Sequence, residues 1–333
     1  MKIILDAMGG DYAPVEIVKG AVIAASKSPE VTIVLVGNEP KVQDELKKYP
    51  KRSNIEVVHA EDDIAMSEHP VEAVRSKKNS SINVAMRLVR DGQGDAFVSA
   101  GNTGACMAAA LFTLGRIKGI ERPAICSVFP TVKGRTVILD IGANADCKPS
   151  QLVQFAYMGK AYIEKVVGVD NPRIGLLSIG EESEKGNELT IATHQLLVQE
   201  KAKGLNFIGN IEGKDIMQNE ADVVVCDGFT GNVVLKFAEG VIFSLQKMIK
   251  KNFSVLAWFG LLFQIKSLKG LKKDLDYTEY GGAPLLGVNG IVIITHGRAK
   301  AKTITNSIYA GIKAASQNLV QAIAQIETEK SVA

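Results

Sequence analysis

The sequence predicts an α/β protein built around a mostly parallel sheet, on two observations. Short apolar runs rich in β-branched residues alternate with stretches of helical periodicity, and each run ends in a small polar turn rich in glycine and asparagine. In a parallel sheet, such turns collect at the edge formed by the carboxyl ends of the strands, where ligands bind. The segments with this pattern are 3–11, 33–39, 96–105, 137–146, 174–188, 206–213 and 221–240.

Length and composition are those of an ordinary globular protein. The chain has 333 residues, enough for two domains of about 150 residues or for one large sheet. Hydrophobic residues make up 46% and charged residues 23%, and the net charge of +3 is too small to indicate a nucleic-acid partner. Residues 1–11 predict a first strand and not a signal peptide, so we expect a cytoplasmic protein.

The four cysteines argue against a metal site or a disulfide framework. They are widely scattered, form no C-x-x-C and have no histidine beside them. Dinucleotide, P-loop, nucleophile-elbow and zinc-protease fingerprints are also absent, so any anion must be bound by another arrangement of the glycine turns.

In the first half of the chain, the pattern predicts strands and helices in alternation. A polar stretch at 59–69 holds Glu61, Asp62 and Asp63, for which a metal site is the alternative to a solvated charge run. The predicted strands are 2–5, 31–36, 55–58 and 96–99, and the predicted helices are 14–25, 40–48, 70–78, 81–90 and 105–114.

The second half begins with an antiparallel hairpin, in which 124–129 and 135–139 flank a turn at 130–134. A long helix from Pro149 to about Val167 follows. Further strands are predicted at 173–179, 206–208, 221–226 and 291–294, and a closing helix at 303–325.

The clearest strand–turn–helix unit is 221–240. A Val-rich run ends at Cys226, and a helical pattern begins after a turn that contains two glycines. The free N–H groups at a helix N-terminus suit an anion, so this turn and its counterparts predict a phosphate or substrate site. The candidate binding residues are Gly10, Asn102, Thr103, Gly104, Gly142, Asn144, Asp227, Gly228, Thr230 and Gly231.

The segment 253–275 does not fit the α/β pattern. Residues 255–263 carry no polar side chain except the indole of Trp258, and the apolar run is too short to span a bilayer. Flanking lysines suit an anionic membrane surface, and a dimer contact or a buried helix are the alternatives. We therefore expect a protruding segment whose contact residues are Trp258, Phe259, Leu262, Lys266, Lys269 and Lys272.

Six motifs together resemble one enzyme family, the PlsX-type phosphate acyltransferases of bacterial phospholipid synthesis. The resemblance spans essentially the whole chain, and its last motif is the most specific. The motifs are MGGDYAP (8–14), SAGNTGA (99–105), LDIGANADCKP (139–149), SIGEESEKGNE (178–188), CDGFTGNVVLK (226–236) and GGAPLLGVNGIVIITHG (281–297).

The resemblance implies a reaction and an architecture. An acyl group passes from acyl carrier protein to inorganic phosphate, without cofactor or metal, and the acyl phosphate goes on to a membrane glycerol-phosphate acyltransferase. The implied fold is similar to that of phosphotransacetylases and isopropylmalate-type dehydrogenases. Residues 1–333 would form a single three-layer α/β/α enzyme chain with a cleft between two subdomains, acting as a homodimer that binds the membrane peripherally and reversibly.

This chemistry needs a cation for phosphate, a donor for the oxyanion and an acid for the thiolate. The candidates are Lys185, Asn232 and His296, for which a solvated lysine, a helix cap and a structural histidine are the alternatives. Cys226 could form an acyl-enzyme, but a small apolar residue closing a strand is the preferred interpretation. Direct attack by phosphate is therefore expected.

An acidic carrier protein would need a basic patch. Arg75, Lys77 and Lys78 form one candidate patch, and the lysines at 266–273 form the other. Two other functions remain open on the sequence: a short-chain phosphotransacetylase that uses coenzyme A thioesters, and a non-catalytic membrane scaffold for lipid enzymes.

Overall fold

The computed structural model describes residues 1–252 and 281–332. Their strands form an 11-stranded sheet in the order β3-β2-β1-β4-β11-β10-β5-β6-β9-β7-β8. The strands are β1 (Lys2–Asp6), β2 (Thr32–Gly37), β3 (Ile55–His59), β4 (Ala96–Ser99), β5 (Ala124–Thr131), β6 (Gly134–Leu139), β7 (Ile174–Leu177), β8 (Phe207–Ile211), β9 (Val223–Val225), β10 (Ala283–Leu286) and β11 (Ile291–Ile294).

Helices connect most of these strands. They are α1 (Val15–Lys27), α2 (Glu39–Leu46), α3 (Pro70–Ser76), α4 (Ser81–Arg90), α5 (Thr103–Thr113), α6 (Pro149–Tyr162), α7 (Glu188–Ala202), α8 (Gly213–Ile216), α9 (Gly228–Asn252), α10 (Ala301–Ser316) and α11 (Leu319–Val332). A π-helical turn, Ile163–Val167, continues α6.

The helices cover both faces of the sheet, which confirms a three-layer α/β/α arrangement. One core contains Ile3 and Leu5 of β1 together with side chains of α1, α6, α7, α10 and α11. The other contains Ile4 of β1 together with side chains of α3, α4, α5, α8 and α9. Because central strands such as β9 and β11 are buried on both faces, their sequences are continuous apolar runs and do not alternate.

The sheet consists of two parallel blocks that run in opposite directions. β3, β2, β1, β4 and β11 are parallel, and so are β6, β9, β7 and β8. Between the blocks, β10 is antiparallel to β11 and β5, and β5 is antiparallel to β6. The expectation that all the polar turns collect at one edge is therefore wrong. They form two sets, one at each edge of the sheet.

Most predicted elements are confirmed within a few residues, including the hairpin of β5 and β6. Two features differ. β10 was not predicted, because its short run Ala283–Leu286 contains a proline and shows no period. The closing helix is divided into α10 and α11 at Asn318, which adopts a left-handed backbone conformation with φ of 50°.

The predicted protruding segment, 253–275, lies outside the described residues. This applies to each of its proposed contact residues, Trp258, Phe259, Leu262, Lys266, Lys269 and Lys272. In the part of the chain that the structure describes, no helix is both long and apolar enough to cross a membrane.

Candidate active site

A buried carboxylate organises the turn that follows β6. Asp140 Oδ1 accepts hydrogen bonds from the backbone N–H groups of Ile125 at 3.0 Å, Gly142 at 3.1 Å and Ala143 at 3.0 Å. Its Oδ2 accepts the backbone N–H of Asn144 at 2.7 Å and the side-chain amide of Asn144 at 2.9 Å. Gly142 and Asn144 therefore shape this turn, and their backbone donors are already used within the fold.

The next turn along this edge starts α9. Asp227 caps the helix, since its carboxylate accepts the backbone N–H of Thr230 at 2.8 Å and the Thr230 hydroxyl at 2.7 Å. Gly228 N–H donates to the Asn144 carbonyl at 2.7 Å, which ties the two turns together. At Gly231 a Cβ atom would collide with the Asp140 carbonyl oxygen, so the close approach of α9 to this turn requires glycine there.

Asn232 lies one residue beyond these contacts and is exposed. A Cβ atom on Gly142 would lie 3.7 Å from Asn232 Cβ, so this side chain faces the turn after β6. Among the described residues, the Asn232 carboxamide has no hydrogen-bond partner. Its role as an oxyanion donor stays a prediction, and its amide is available for that role.

Lys185 lies on the loop of residues 178–187, which we call the Lys185 loop. It joins β7 to α7, and because Leu176 of β7 pairs with Val225 of β9, this loop and the α9 turn begin side by side. The Lys185 side chain is exposed and has no carboxylate partner in the described ranges. Lys185 and Asn232 thus lie on neighbouring turns at the same edge of the sheet.

The turns after β1, β4 and β11 meet at the other edge. Asp6, fully buried, accepts the hydroxyl of Ser99 at 2.7 Å and the backbone N–H of Met8 at 3.1 Å. A Cβ atom at Gly9 would lie 2.7 Å from Gly101 N, so these two loops touch through backbone atoms. Asp6 therefore holds this turn by hydrogen bonds to a buried carboxylate, as Asp140 does at the other edge.

Some of the candidate binding residues at this edge already use their hydrogen-bonding groups within the fold, and others do not. Asn102 caps α5 by accepting Ala105 N–H at 3.0 Å, and its amide donates to the Met66 and Glu68 carbonyls at 3.2 and 3.1 Å. Thr103 and Gly104 are the first two residues of α5, where backbone N–H groups have no partner within the helix. Asn102 is therefore fully engaged, whereas Thr103 and Gly104 keep donors for an anion.

His296 lies at this second edge, away from Lys185 and Asn232. Its Nδ1 accepts Arg298 N–H at 3.0 Å, so the proton of the neutral ring is on Nε2, and the residue is exposed. Gly10 belongs to the same group, because a Cβ there would lie 2.9 Å from the Gly297 carbonyl oxygen. The three predicted catalytic residues are thus divided between the two edges.

The cysteines near the site are not activated thiols. Burial raises the pKa of Cys226 well above its ordinary value, and its Sγ lies 3.5 Å from the Asp140 carbonyl oxygen. Burial also raises the pKa of Cys147 to about 11. Since the thiolate is the nucleophilic form, this supports the preference for direct attack by phosphate over an acyl-cysteine.

Three residues of these turns were not among the sequence candidates. Asp6 and Asp140 share a sequence signal, since both follow leucine at the end of an apolar run. The third, Arg122, is an exposed cation without an ion pair among the described residues. It precedes Pro123, whose carbonyl accepts the Asn144 amide at 2.8 Å, and no local pattern in the sequence indicates this position.

The basic run at 75–78 and the acidic run at 59–69 contact each other, and the basic run also contacts an aromatic ring. Lys77 Nζ donates to Glu68 at 2.7 Å and to the Asp63 carbonyl at 2.9 Å, and Arg75 lies 5.1 Å from the centre of the Phe112 ring. Within residues 1–252 and 281–332, no group of three histidine, cysteine or acidic side chains is arranged to hold a metal ion.

Comparison with known proteins identifies the family. Residues 1–322 match the model of the family described as Fatty acid synthesis protein. A phosphate acyltransferase of Pelotomaculum thermopropionicum is 55% identical over 325 residues, which cover 97% of this chain and 94% of that protein. A phosphate acyltransferase of Endomicrobium trichonymphae is 51% identical over 330 residues, which cover 97% and 96%.

Solved structures share the fold at low sequence identity. A phosphotransacetylase from Streptococcus pyogenes matches with a TM-score of 0.65 and 18% identity, covering 96% of this chain and 94% of that one. The EutD phosphotransacetylase from Staphylococcus aureus matches with a TM-score of 0.60 and 19% identity, covering 95% and 94%. The chain therefore belongs to the phosphate acyltransferase family that its motifs resemble, the family described as Fatty acid synthesis protein.

Proposed function

We propose that this acyltransferase moves a long-chain acyl group from acyl carrier protein to inorganic phosphate, giving acyl phosphate for phospholipid synthesis. The observation that carries the proposal is the pairing of Lys185 and Asn232 on neighbouring turns. One offers an unpaired cation and the other an unpaired amide donor, beside a helix N-terminus that favours anions.

In the proposed mechanism, phosphate is the nucleophile and needs no activating base. Lys185 holds phosphate and offsets its charge, so that one phosphate oxygen can approach the thioester carbonyl carbon. A C–O bond forms, and Asn232 Nδ2 donates to the oxyanion of the tetrahedral intermediate. The C–S bond then breaks, and the departing thiolate takes up the proton that the phosphate loses, while His296 Nε2–H donates a hydrogen bond to the sulfur.

The separation of His296 from Lys185 requires a cleft that both edges face. Five strand steps separate β4 from β9, and at about 20–25° a step the sheet twists by about 100–125° between them. β4 and β9 run in opposite directions, and the twist rotates one against the other by more than a right angle. Their carboxyl ends therefore tilt toward the same face of the sheet. With right-handed twist and crossovers this is the face of α5 and α9. This supports a cleft between two subdomains, each built on one parallel block.

We also propose that the enzyme is a homodimer that uses α9. Phe229, Val233, Phe237 and Val241 recur every four residues and are exposed, with Phe237 73% exposed. Such a stripe on a helix indicates a missing partner surface. A second copy fits it, since the stripe starts at the active-site turn and would bring two sites close to one shared surface.

The proposal also includes binding of the carrier protein, association with the membrane and transfer of the product to a second enzyme. An acidic carrier protein would bind beside the cleft, and the lysine-flanked segment 253–275 would hold a cytoplasmic enzyme reversibly on an anionic membrane. There the acyl phosphate can pass directly to a glycerol-phosphate acyltransferase of the bilayer. Flotation of the full chain with anionic vesicles tests the membrane part.

The deciding experiment measures release of free carrier from long-chain acyl-[acyl carrier protein], with and without inorganic phosphate, in metal-free buffer. We expect phosphate-dependent release and an acyl phosphate that hydroxylamine traps. Release without phosphate would contradict the proposed reaction. Faster turnover of coenzyme A thioesters would favour a phosphotransacetylase, and vesicle binding without turnover would favour a scaffold.

A further inference from the structure

We propose that Asn210, held by His194, is a positioning residue for Lys185. The inference rests on the proposed role of Lys185 and concerns how its loop is kept in one conformation. Neither residue is within the turns that face the substrate: Asn210 lies on β8 and is only 6% exposed, and His194 lies on α7.

The Glu182 carbonyl oxygen is the fixed point of the Lys185 loop. It accepts the backbone N–H of Lys185 at 3.1 Å and the side-chain amide of Asn210 at 2.8 Å. The first bond closes a tight turn that ends at Lys185, and the second joins that turn to the sheet. Asn210 is therefore one hydrogen bond away from the turn that carries the cation.

The orientation of the Asn210 amide is itself fixed. Because its Nδ2 donates to Glu182, its Oδ1 must be the atom that lies 2.9 Å from His194 Nδ1, and the histidine donates to it. The His194 ring packs edge-on against Phe207, with ring centres 5.3 Å apart and an interplanar angle of 73°. A buried aromatic, a histidine and an amide thus form one continuous support for the loop.

Two further contacts hold the ends of the loop, and one of them is made to the Lys185 backbone. Ser178 Oγ donates to the Lys185 carbonyl at 3.0 Å, and Asn187 caps α7 by accepting Thr190 N–H at 2.9 Å. Both are near the ends of an exposed loop, whereas Asn210 holds its middle. Without Asn210, the Lys185 side chain would sample more positions, and the electrostatic contribution to the transition state would fall.

The test uses Asn210→Asp, which keeps the shape and the acceptor for His194 but removes the donor to Glu182. We expect kcat to fall by about tenfold, as is typical when a catalytic group loses its position, with little change in KM for the acyl thioester. The matched control is Asn206→Asp at the other end of β8. Asn206 donates to the Asn171 carbonyl at 2.9 Å, so the control loses the same kind of bond away from Lys185.

A double-mutant cycle separates positioning from general stability. If Asn210 acts through Lys185, the double variant with Lys185→Ala turns over no more slowly than Lys185→Ala alone. Additive losses, normal kcat in Asn210→Asp, or an equal loss in the Asn206→Asp control would overturn the inference. Normal turnover of Lys185→Ala alone would instead refute the proposed role of Lys185, so the two failures are distinguishable.

Discussion

Asp6 and Asp140 are buried carboxylates at the ends of β1 and β6, and the described residues give neither of them an ion pair. Their negative charge is instead met by hydrogen bonds, which come from Met8 and Ser99 to Asp6 and from Ile125 and residues 142–144 to Asp140. Burial raises the pKa of both carboxyls above the ordinary value of 3.8, and these hydrogen bonds only partly offset the rise.

The raised pKa of Asp140 predicts a pH effect on stability. The folded chain holds this proton more tightly than the unfolded chain, so the carboxyl contributes stability that is full below pH 3.8 and is lost as pH rises through the folded pKa. Asn at this position cannot titrate. We expect the free energy of unfolding of Asp140→Asn to fall less than that of the native chain across this window.

Urea denaturation at a series of pH values measures this difference, and the native chain provides the reference for all other titrating groups. Parallel pH curves for the native chain and the variant would contradict the prediction.

At Lys185 the prediction concerns rate. Lys185→Ala should lower turnover by at least about tenfold, which corresponds to about 1.4 kcal/mol of transition-state stabilisation. Lys214→Ala is the matched control, because Lys214 is an exposed lysine on α8 and its ammonium pairs with the Glu212 carboxylate at 3.1 Å. Steady-state kinetics with varied phosphate measure both variants. Near-normal turnover of Lys185→Ala would remove this lysine from the site.

Among the elements, α9 connects the site to the rest of the molecule. Asp227 caps its first turn and Asn232 follows that turn. Its inner side contributes Val234, Leu235 and Ala238 to the core, and its outer side is the exposed stripe. One helix thus positions a candidate catalytic amide, packs on the sheet and carries an exposed apolar stripe.

The cap of α9 predicts a coupled loss of stability and activity. Asp227→Ala removes the acceptor for Thr230 and should lower the free energy of unfolding by about 1 kcal/mol. It should also lower turnover, because Asn232 lies on the helix turn that this cap holds. Asn38→Ala is the control, since Asn38 caps α2, which starts at the opposite edge of the sheet from α9, through Lys41 N at 3.2 Å.

Chemical denaturation and turnover are measured on both cap variants. If Asp227→Ala is destabilised as much as the control and keeps full activity, the cap has only a structural role.

On the scale of the whole molecule, the reversal of strand direction between the two blocks decides where ligands can meet. Had all strands run in one direction, the seven polar turns would share an edge. The antiparallel strands β10 and β5 send them to opposite edges, and the proposed cleft therefore depends on the twist of the sheet to bring both edges together.

The exposed stripe of α9 predicts the oligomeric state. Phe237→Glu combined with Val241→Glu should convert a dimer to a monomer in sedimentation velocity at micromolar concentration, because the stripe would carry like charges into the interface. Val198→Glu on α7 is the control, since Val198 is also an exposed apolar side chain, 48% exposed. A native chain that sediments as a monomer, or a double variant that stays dimeric, would contradict the prediction.

Local patterns in the sequence are enough to predict the class of fold, most element positions and the turns that carry polar groups. They are enough because strand interiors such as Val223–Val225 and caps such as Asp227 act on near neighbours in the chain. The motifs at 139–149 and 226–236 likewise identify the family without any knowledge of the sheet order.

Which turns meet and which donors remain free depends on how distant segments pack in three dimensions. Gly142 and Asn144 were candidates for phosphate until Asp140 was seen to take their N–H groups, and Asn210 lies 25 residues beyond the lysine whose loop it holds. These contacts depend on strand order, which is set by packing between distant segments and leaves no periodic signal in the chain. The three antiparallel pairings β11–β10, β10–β5 and β5–β6 together reverse the strand direction, which places His296 on the opposite edge from Lys185.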